Sequence, residues 1–136
     1  MKQLVMIDDD PDDQIFYERL FKEQDKELNF EAYSSVEQFL EKYIDSDDKP
    51  NLILLDLNMP RIGGIDLIRS VNVEKGFRNS PIIVLTTSSS PLDMEDCKKL
   101  GVQSYFIKPL NYEDCKELTS VIYQYWFKHN NLLNIL

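Results

Sequence analysis

The stretch that most constrains the fold is Asn51–Pro60, in which the apolar run Leu52–Leu55 leads directly into Asp56. A short apolar run between turn residues is typical of a strand that is buried on both faces, as in a parallel sheet. The prolines at positions 50 and 60 leave too little room for a buried helix, the other structure that such a run forms. Ligand sites of open parallel sheets lie outside the carboxyl ends of the strands, where Asp56 would stand. An Asp at this point also fits a cap of the following loop, so one strand alone leaves both interpretations open.

Strand-like and helix-like segments alternate five times along the 136 residues. The other predicted strands are Leu4–Ile7, Leu28–Tyr33, Ile82–Leu85 and Tyr105–Ile107. The predicted helices begin near Pro11, at the capping box that starts at Ser34, near Ile65, at Pro91 and near Asn111. The alternation predicts an α/β fold in which a parallel five-stranded sheet carries helices on both faces. Right-handed crossovers and short loops then bring the carboxyl ends of the strands to one edge.

Apolar residues in the first and last helices predict which faces of these helices are buried. The first helix is capped by Asp10 before Pro11, and helix-start chemistry explains Asp10, Asp12 and Asp13. Its predicted buried residues are Ile15, Phe16, Leu20 and Phe21. The predicted stripe of the last helix is Cys115, Leu118, Ile122, Tyr125 and Trp126.

The charge balance excludes some classes of function. The chain has 24 acidic residues against 15 Lys and Arg, which gives a net charge of −9. Phosphate contacts need clustered cations, so we expect no direct binding to nucleic acid. No apolar run approaches the ~18 residues of a membrane span, and no signal peptide precedes the first strand. Cys97 and Cys115 lack the spacing of a disulfide framework, so we expect a cytoplasmic protein without membrane contact.

Charged and hydroxyl side chains gather at the predicted carboxyl edge of the sheet. Asp8 and Asp9 follow the first strand, Asp56 the third, Thr86 the fourth and Lys108 the fifth. Three carboxylates this close would raise one another's pKa, and a divalent cation removes that difficulty. Hard oxygen ligands select Mg²⁺ over softer metals. Since Lys108 and Thr86 suit the oxygens of a phosphoryl group, Asp56 is the candidate nucleophile that forms an aspartyl phosphate.

On these residues, the chain resembles a two-component response-regulator receiver domain of the chemotaxis-regulator type. The matching residues are Asp8 and Asp9, the run Asp56–Pro60, Thr86, and Lys108–Pro109. The resemblance covers about residues 2–127. The hydroxyl-rich run after Thr86 and the last helix with Trp126 are similar to the subgroup of cyanobacterial phytochrome regulators. The resemblance implies a flavodoxin-like (βα)5 fold with the strand order 2-1-3-4-5.

The resemblance also implies a function and a set of site residues. Asp56 would accept a phosphoryl group from a sensor histidine kinase or a phosphotransfer protein. The residues assigned to Mg²⁺, or to Mn²⁺ in its place, are Asp8, Asp9, Asp56 and the backbone carbonyl of Asn58. Those assigned to the phosphate and to switching are Thr86, Thr87, Lys108 and Tyr105. When Thr86 turns toward the phosphate, Tyr105 rotates inward and changes the face that an unknown downstream protein binds. A cis peptide bond is expected before Pro109.

Residues 1–128 are predicted to form the receiver domain, and residues 129–136 an apolar tail. The tail fits a docking surface, a homodimer contact or a frayed end, and a homodimer contact is the favoured interpretation. No fused output domain is expected, and no enzymatic activity beyond Mg²⁺-dependent self-phosphorylation and slow loss of that phosphate. An EF-hand loop is rejected because Asp13 stands where glycine is needed. A phosphatase with an aspartyl-phosphate intermediate is rejected because Asp12 departs from its motif and the chain lacks a cap domain. A receiver-shaped interaction module that works without phosphorylation stays open as the alternative.

Overall fold

The computed structural model describes residues 2–59, 63–73, 77 and 79–130. Its strands are β1 (Gln3–Ile7), β2 (Asn29–Tyr33), β3 (Leu52–Leu55), β4 (Ile82–Thr86) and β5 (Ser104–Ile107). Its helices are α1 (Pro11–Gln24), α2 (Val36–Tyr43), α3 (Gly64–Val73), α4 (Pro91–Lys99) and α5 (Tyr112–Tyr123), and α5 continues into a π-helical turn, Gln124–His129. All strand pairs are parallel and the order is β2-β1-β3-β4-β5. The predicted flavodoxin-like fold and its strand order are confirmed.

β3 lies at the centre of the sheet, and all of its residues are buried. Because helices cover both faces of a parallel sheet, a central strand needs an apolar side chain at every position. The register pairs Ile7 with Leu55, and Leu55 with Val84. The residues that follow β1 and β3 therefore emerge side by side at the carboxyl edge.

Two apolar layers pack against opposite faces of the sheet. Side chains of β1 alternate between them, as expected for a strand. Leu4 and Met6 join the layer that contains residues of α1 and α5, whereas Val5 and Ile7 join the layer with α2 and α3. Both layers contact the same strands, so they fix the helices relative to the strand ends.

The buried face of α1 differs from the predicted one. Tyr17, Leu20 and Phe21 are buried, whereas Ile15 is 63% exposed. The three buried residues stand at positions i, i+3 and i+4 of one helical stripe. The Tyr17 hydroxyl lies 3.7 Å from the Cys115 sulfur, so the buried ring keeps a polar partner.

The C-terminal helix also buries residues other than those predicted. Tyr125 is 60% exposed, and Phe127 is buried in its place. The cause is the π-helical turn, because its hydrogen bonds span five residues rather than four. This wider turn brings Phe127 onto the inward face that Ile122 begins. Phe127 stacks there on Tyr123, with 5.8 Å between the ring centroids.

The helix caps follow the predicted chemistry, with one shift. Asp10 caps α1 by accepting hydrogen bonds from two backbone N–H groups of the first turn, and Pro11 takes the first helical position. At α2 the cap is Ser35 rather than Ser34, since the Ser35 hydroxyl oxygen accepts from the N–H of Gln38 at 3.1 Å. α2 therefore begins one residue later than the predicted capping box.

Residues 131–136, which form most of the predicted apolar tail, lie outside the described residues, as does Pro60. The homodimer contact of the tail therefore stays a prediction. Across the described ranges of the chain, none of the helices combines the length and the apolar character that a membrane span requires.

α4 ends at a glycine whose backbone conformation predicts an effect on stability. Gly101 has φ +81°, and its N–H donates to the carbonyl of Lys98 at 3.2 Å. The N–H of Val102 donates to the carbonyl of Cys97 at 3.1 Å, which completes a Schellman motif. We expect Gly101→Ala to lower the free energy of unfolding by about 1 kcal/mol, because residues with a Cβ disfavour this backbone region. Denaturant unfolding of both proteins measures the difference.

Gly63→Ala is the matched control for this substitution. Gly63 lies outside the left-handed region, and among the described residues an added Cβ would approach only the Leu57 carbonyl oxygen, at 4.0 Å. Its expected effect is below about 0.5 kcal/mol. Since no atom lies within 4 Å of a Cβ added at Gly101, steric contact is not the cause there. Equal losses in the two variants would contradict the backbone argument.

Candidate functional site

Three polar side chains emerge next to one another where the strands end. The backbone N–H of Asp56 donates to Ile7 at 3.0 Å, and that of Lys108 donates to Thr86 at 2.7 Å. These bonds extend the strand pairing by one residue beyond β3 and β5. The sheet itself therefore fixes the backbone positions from which Asp56, Thr86 and Lys108 project.

Asp56 is 6% exposed, and both oxygens of its carboxylate accept hydrogen bonds. The Thr86 hydroxyl donates to Oδ1 at 2.6 Å, and the backbone N–H of Asn58 donates to the same oxygen at 3.0 Å. Lys108 Nζ donates to Oδ2 at 3.3 Å. Charge-assisted hydrogen bonds of this kind compensate a carboxylate for its removal from water. Asp56 is thus held in one orientation at the rim of the sheet.

Lys108 is the cation at the centre of the site. Its ammonium contacts Asp8 Oδ2 at 2.6 Å, Asp13 Oδ2 at 2.7 Å and Asp56 Oδ2 at 3.3 Å. Only 8% of the side chain is exposed. Burial works to lower the pKa of Lys108, but the hydrogen bonds to Asp13 and Asp8 outweigh it, and the pKa is raised above its usual value. The ammonium therefore stays charged and binds three carboxylates at once.

Asp8 is fully buried beside this lysine. Its Oδ1 accepts from the backbone N–H of Asp10 at 2.9 Å, and its Oδ2 accepts from Lys108. Burial raises the pKa of Asp8 above its usual value, against the opposing effect of the Lys108 hydrogen bond. Lys108 supplies one positive charge to three carboxylates, so the negative charge of the buried Asp8 is only partly compensated.

The donor set fits a divalent cation. Asp8, Asp9 and Asp56 each offer a carboxylate oxygen, and these oxygens lie within 4.8 Å of one another. Asp9 is exposed, whereas Asp8 and Asp56 are buried, so the cluster opens to solvent on one side. Carboxylate oxygens are the ligands that Mg²⁺ and similar hard cations prefer. The assignment of the Asn58 carbonyl as a further ligand stays a prediction.

The predicted phosphate and switch residues surround the loop between β4 and α4. The Asn58 side-chain amide donates to Thr86 Oγ1 at 3.4 Å and to Thr87 Oγ1 at 3.1 Å. Thr87 is exposed and Thr86 is fully buried. The Tyr105 hydroxyl donates to the carbonyl of Ser88 at 2.9 Å. Tyr105 thus contacts this loop, while Thr86 contacts Asp56 from the other end of the same segment.

Two features of the site differ from the sequence-based predictions. The peptide bond before Pro109 is trans, because the described residues contain no cis peptide bond, so the predicted cis bond is wrong. Trans is the lower-energy isomer of such bonds by about 0.5–1 kcal/mol, and Lys108 reaches its three carboxylates with the bond in this form. In the sequence, helix-start chemistry alone explains Asp13, yet the structure places its carboxylate in contact with Lys108. Its place in the first turn, beside the strand edge, was the only signal in the sequence.

Two sequence comparisons find proteins similar to this chain. The sequence model of the response regulator receiver domain matches residues 4–120. The chemotaxis protein CheY1 of Helicobacter pylori is 29% identical over 124 residues, which make up 90% of this chain and 96% of that protein.

Two solved structures extend the likeness over nearly the whole fold. The phosphorylated cyanobacterial phytochrome response regulator RcpA has a TM-score of 0.83 at 21% identity, over 92% of this chain and 93% of that one. The Mn²⁺-bound form of response regulator Rcp1 has a TM-score of 0.82 at 25% identity, over 95% of this chain and 96% of that one. At 21% identity, the likeness to RcpA concerns the fold alone.

Proposed function

The chain belongs to the response regulator receiver domain family, and from that membership we propose that Asp56 accepts a phosphoryl group in two-component signal transduction. The donor is a phosphohistidine on a sensor histidine kinase or on a phosphotransfer protein. The observation that carries the proposal is the environment of Asp56, whose carboxylate is held between Thr86 and Lys108 at the rim of the sheet. A hydroxyl and an ammonium on either side of a nucleophile are the groups that bind phosphoryl oxygens.

The chemical step is a transfer between two nucleophiles. An Asp56 carboxylate oxygen attacks phosphorus and forms a new O–P bond, while the N–P bond to the histidine breaks. The electron pair of the broken bond returns to the imidazole nitrogen, which leaves as the dephosphorylated donor. Lys108 and Thr86 stabilise the charge on the transferring group, and Asn58 holds Asp56 in place through its backbone N–H.

A divalent cation is the proposed cofactor. Asp8, Asp9 and Asp56 would hold Mg²⁺ or Mn²⁺, together with the backbone carbonyl of Asn58. When bound, the ion supplies positive charge that neutralises the phosphoryl oxygens. The close approach of three carboxylates supports this proposal, and the solved Rcp1 structure contains Mn²⁺. Bound there, the ion would balance the charge of the three carboxylates.

Switching would follow from the contacts of the loop between β4 and α4. A phosphoryl group on Asp56 offers new acceptors to the Thr86 hydroxyl, which now donates to Asp56 itself. A shift of Thr86 moves the segment that carries the Ser88 carbonyl, to which Tyr105 is hydrogen-bonded. We expect the balance between two positions of Tyr105 to change, and with it the surface offered to a downstream protein. The protein is then a cytoplasmic phosphoacceptor rather than an enzyme.

Acetyl phosphate tests the proposal without the unknown kinase. Incubated with it and Mg²⁺, the protein should gain the mass of one phosphoryl group, and tandem mass spectrometry should place that group on Asp56. Chelation of the metal should reduce the uptake, because the oxygens then lack their counter-charge. Amide resonances near Tyr105 and Ser88 should shift on phosphorylation. An unchanged mass with Mg²⁺ present would leave the non-phosphorylated interaction module as the better interpretation.

A further inference from the structure

The contact between α1 and Lys108 has no role in the function proposed above. Asp13 Oδ2 lies 2.7 Å from Lys108 Nζ, whereas Asp56 Oδ2 lies 3.3 Å from the same atom. We propose that Asp13 is a positioning residue, which holds the Lys108 ammonium toward α1 and thereby shortens the lifetime of a phosphoryl group on Asp56. This inference rests on the proposed function, because it concerns the fate of the aspartyl phosphate.

α1 fixes Asp13 in a place from which it competes for the lysine. Asp13 lies in the first turn, directly behind the Asp10 cap and Pro11. The partial positive charge at a helix N-terminus favours a carboxylate there by about 0.3–1 kcal/mol. The helix is anchored to the sheet through buried residues such as Tyr17. Asp13 is therefore an acceptor held at a set distance, and it cannot follow Lys108 freely.

The ammonium has no donor to spare. Lys has three N–H donors, and the three carboxylates that Lys108 contacts use all of them. The two shortest contacts are those to Asp8 and Asp13, and these hydrogen bonds also raise the pKa of the lysine. A phosphoryl group on Asp56 needs the same ammonium for its anionic oxygens. An N–H of Lys108 that donates to Asp13 cannot donate to the phosphoryl group at the same time.

The direction of the effect follows from charge. With Lys108 drawn toward α1, more of the phosphoryl charge stays unneutralised beside the carboxylates of Asp8 and Asp9. This raises the energy of the aspartyl phosphate more than that of the loose transition state for hydrolysis, in which the charge is spread over three oxygens, so the phosphate is lost faster. Water supplies the oxygen of the new bond to phosphorus, and the electron pair of the broken bond returns to the Asp56 carboxylate. Both protons of the water leave with the inorganic phosphate, as H₂PO₄⁻.

The main experiment compares Asp13→Asn with Asp12→Asn. Each protein is loaded with acetyl phosphate and Mg²⁺ and then freed of the donor, and loss of the phosphate is followed by intact mass. The lifetime in Asp13→Asn should be about threefold to tenfold longer than in the parent, since a charged competitor is replaced by a neutral one. A Lys108→Met background should abolish the difference, because Asp13 acts through the lysine.

Asp12→Asn is the matched control. Asp12 stands in the same first turn, is exposed, and forms no ion pair among the described residues. Its substitution removes the same charge from the same helix end but leaves the Lys108 contact intact. Its phosphate lifetime should stay close to the parental value. A general electrostatic effect would change both variants alike.

The ¹⁵N resonance of the Lys108 ammonium gives a readout that needs no phosphate. It should shift in unphosphorylated Asp13→Asn and stay in place in Asp12→Asn, while Asp13→Glu should restore part of the parental position. An unchanged resonance in Asp13→Asn, or equal lifetimes in the two Asn variants, would overturn the inference. If the parent takes up no phosphate, both the proposed function and the effect on phosphate lifetime are wrong. The Lys108 resonance then still shows, independently, whether Asp13 holds the ammonium.

Discussion

Asp56→Asn is expected to take up no phosphate from acetyl phosphate under conditions in which the parent gains one phosphoryl group. The asparagine oxygen can still accept from Thr86 and from the backbone of Asn58, so the side chain keeps its place. It lacks the carboxylate oxygen that attacks phosphorus, and the loss should therefore be complete. Intact-mass measurement over a time course gives the result directly.

The fold of this variant should be unimpaired. Asp56 is one of several carboxylates around a single lysine, so its neutralisation relieves repulsion in metal-free buffer. Its melting temperature should be at least that of the parent, which separates loss of the nucleophile from loss of structure. Asp12→Asn serves as the charge control and should be phosphorylated normally. Phosphate found on Asp56→Asn would assign the acceptor to another residue and remove the basis of the proposed function.

The arrangement of the strand ends was predictable because it depends on local patterns. Each buried strand is a short apolar run bounded by turn residues, and parallel strands must end at the same edge. The polar residue that follows each run must therefore lie at the carboxyl edge of the sheet. Asp8, Asp56 and Lys108 lie together for this reason, although their separations of 2.6 Å and 3.3 Å depend on side-chain conformations.

What sequence reasoning missed depends on tertiary contacts. The predicted buried face of α1 includes Ile15 and omits Tyr17, but the position of α1 on the sheet buries the tyrosine and exposes the isoleucine. The π-helical turn at Gln124–His129 departs from the α-helical period on which the predicted stripe relied. Asp13 satisfied a local rule for helix starts, which concealed its contact with a residue from the far end of the chain, Lys108. Local rules explain such residues without excluding a second role.

Lys108→Met is expected to lower the free energy of unfolding by about 3 kcal/mol in metal-free buffer at pH 7, because breaking a buried ion pair leaves uncompensated charge. Asp8 is fully buried and Asp56 nearly so, and the lysine is their shared cation. The pKa of Lys108 in the folded protein is raised above its value in the unfolded chain, about 10.4, so the lysine contributes its full stabilisation at any pH below that value. This stabilisation is lost only as the pH rises through the pKa of the folded state. A measurement at pH 7 therefore captures all of it.

Lys99→Met controls for the loss of a lysine in general. Lys99 pairs with Glu95 at 3.2 Å on the surface of α4, where both side chains are mostly exposed, so its expected effect is below about 0.5 kcal/mol. Mg²⁺ should stabilise Lys108→Met by at least about 1 kcal/mol more than it stabilises the parent, because the ion replaces the missing charge among the carboxylates. A small loss in Lys108→Met, or no extra gain with Mg²⁺, would mean that repulsion among these carboxylates is weak. The acidic cluster would then lose its electrostatic reason for holding a cation.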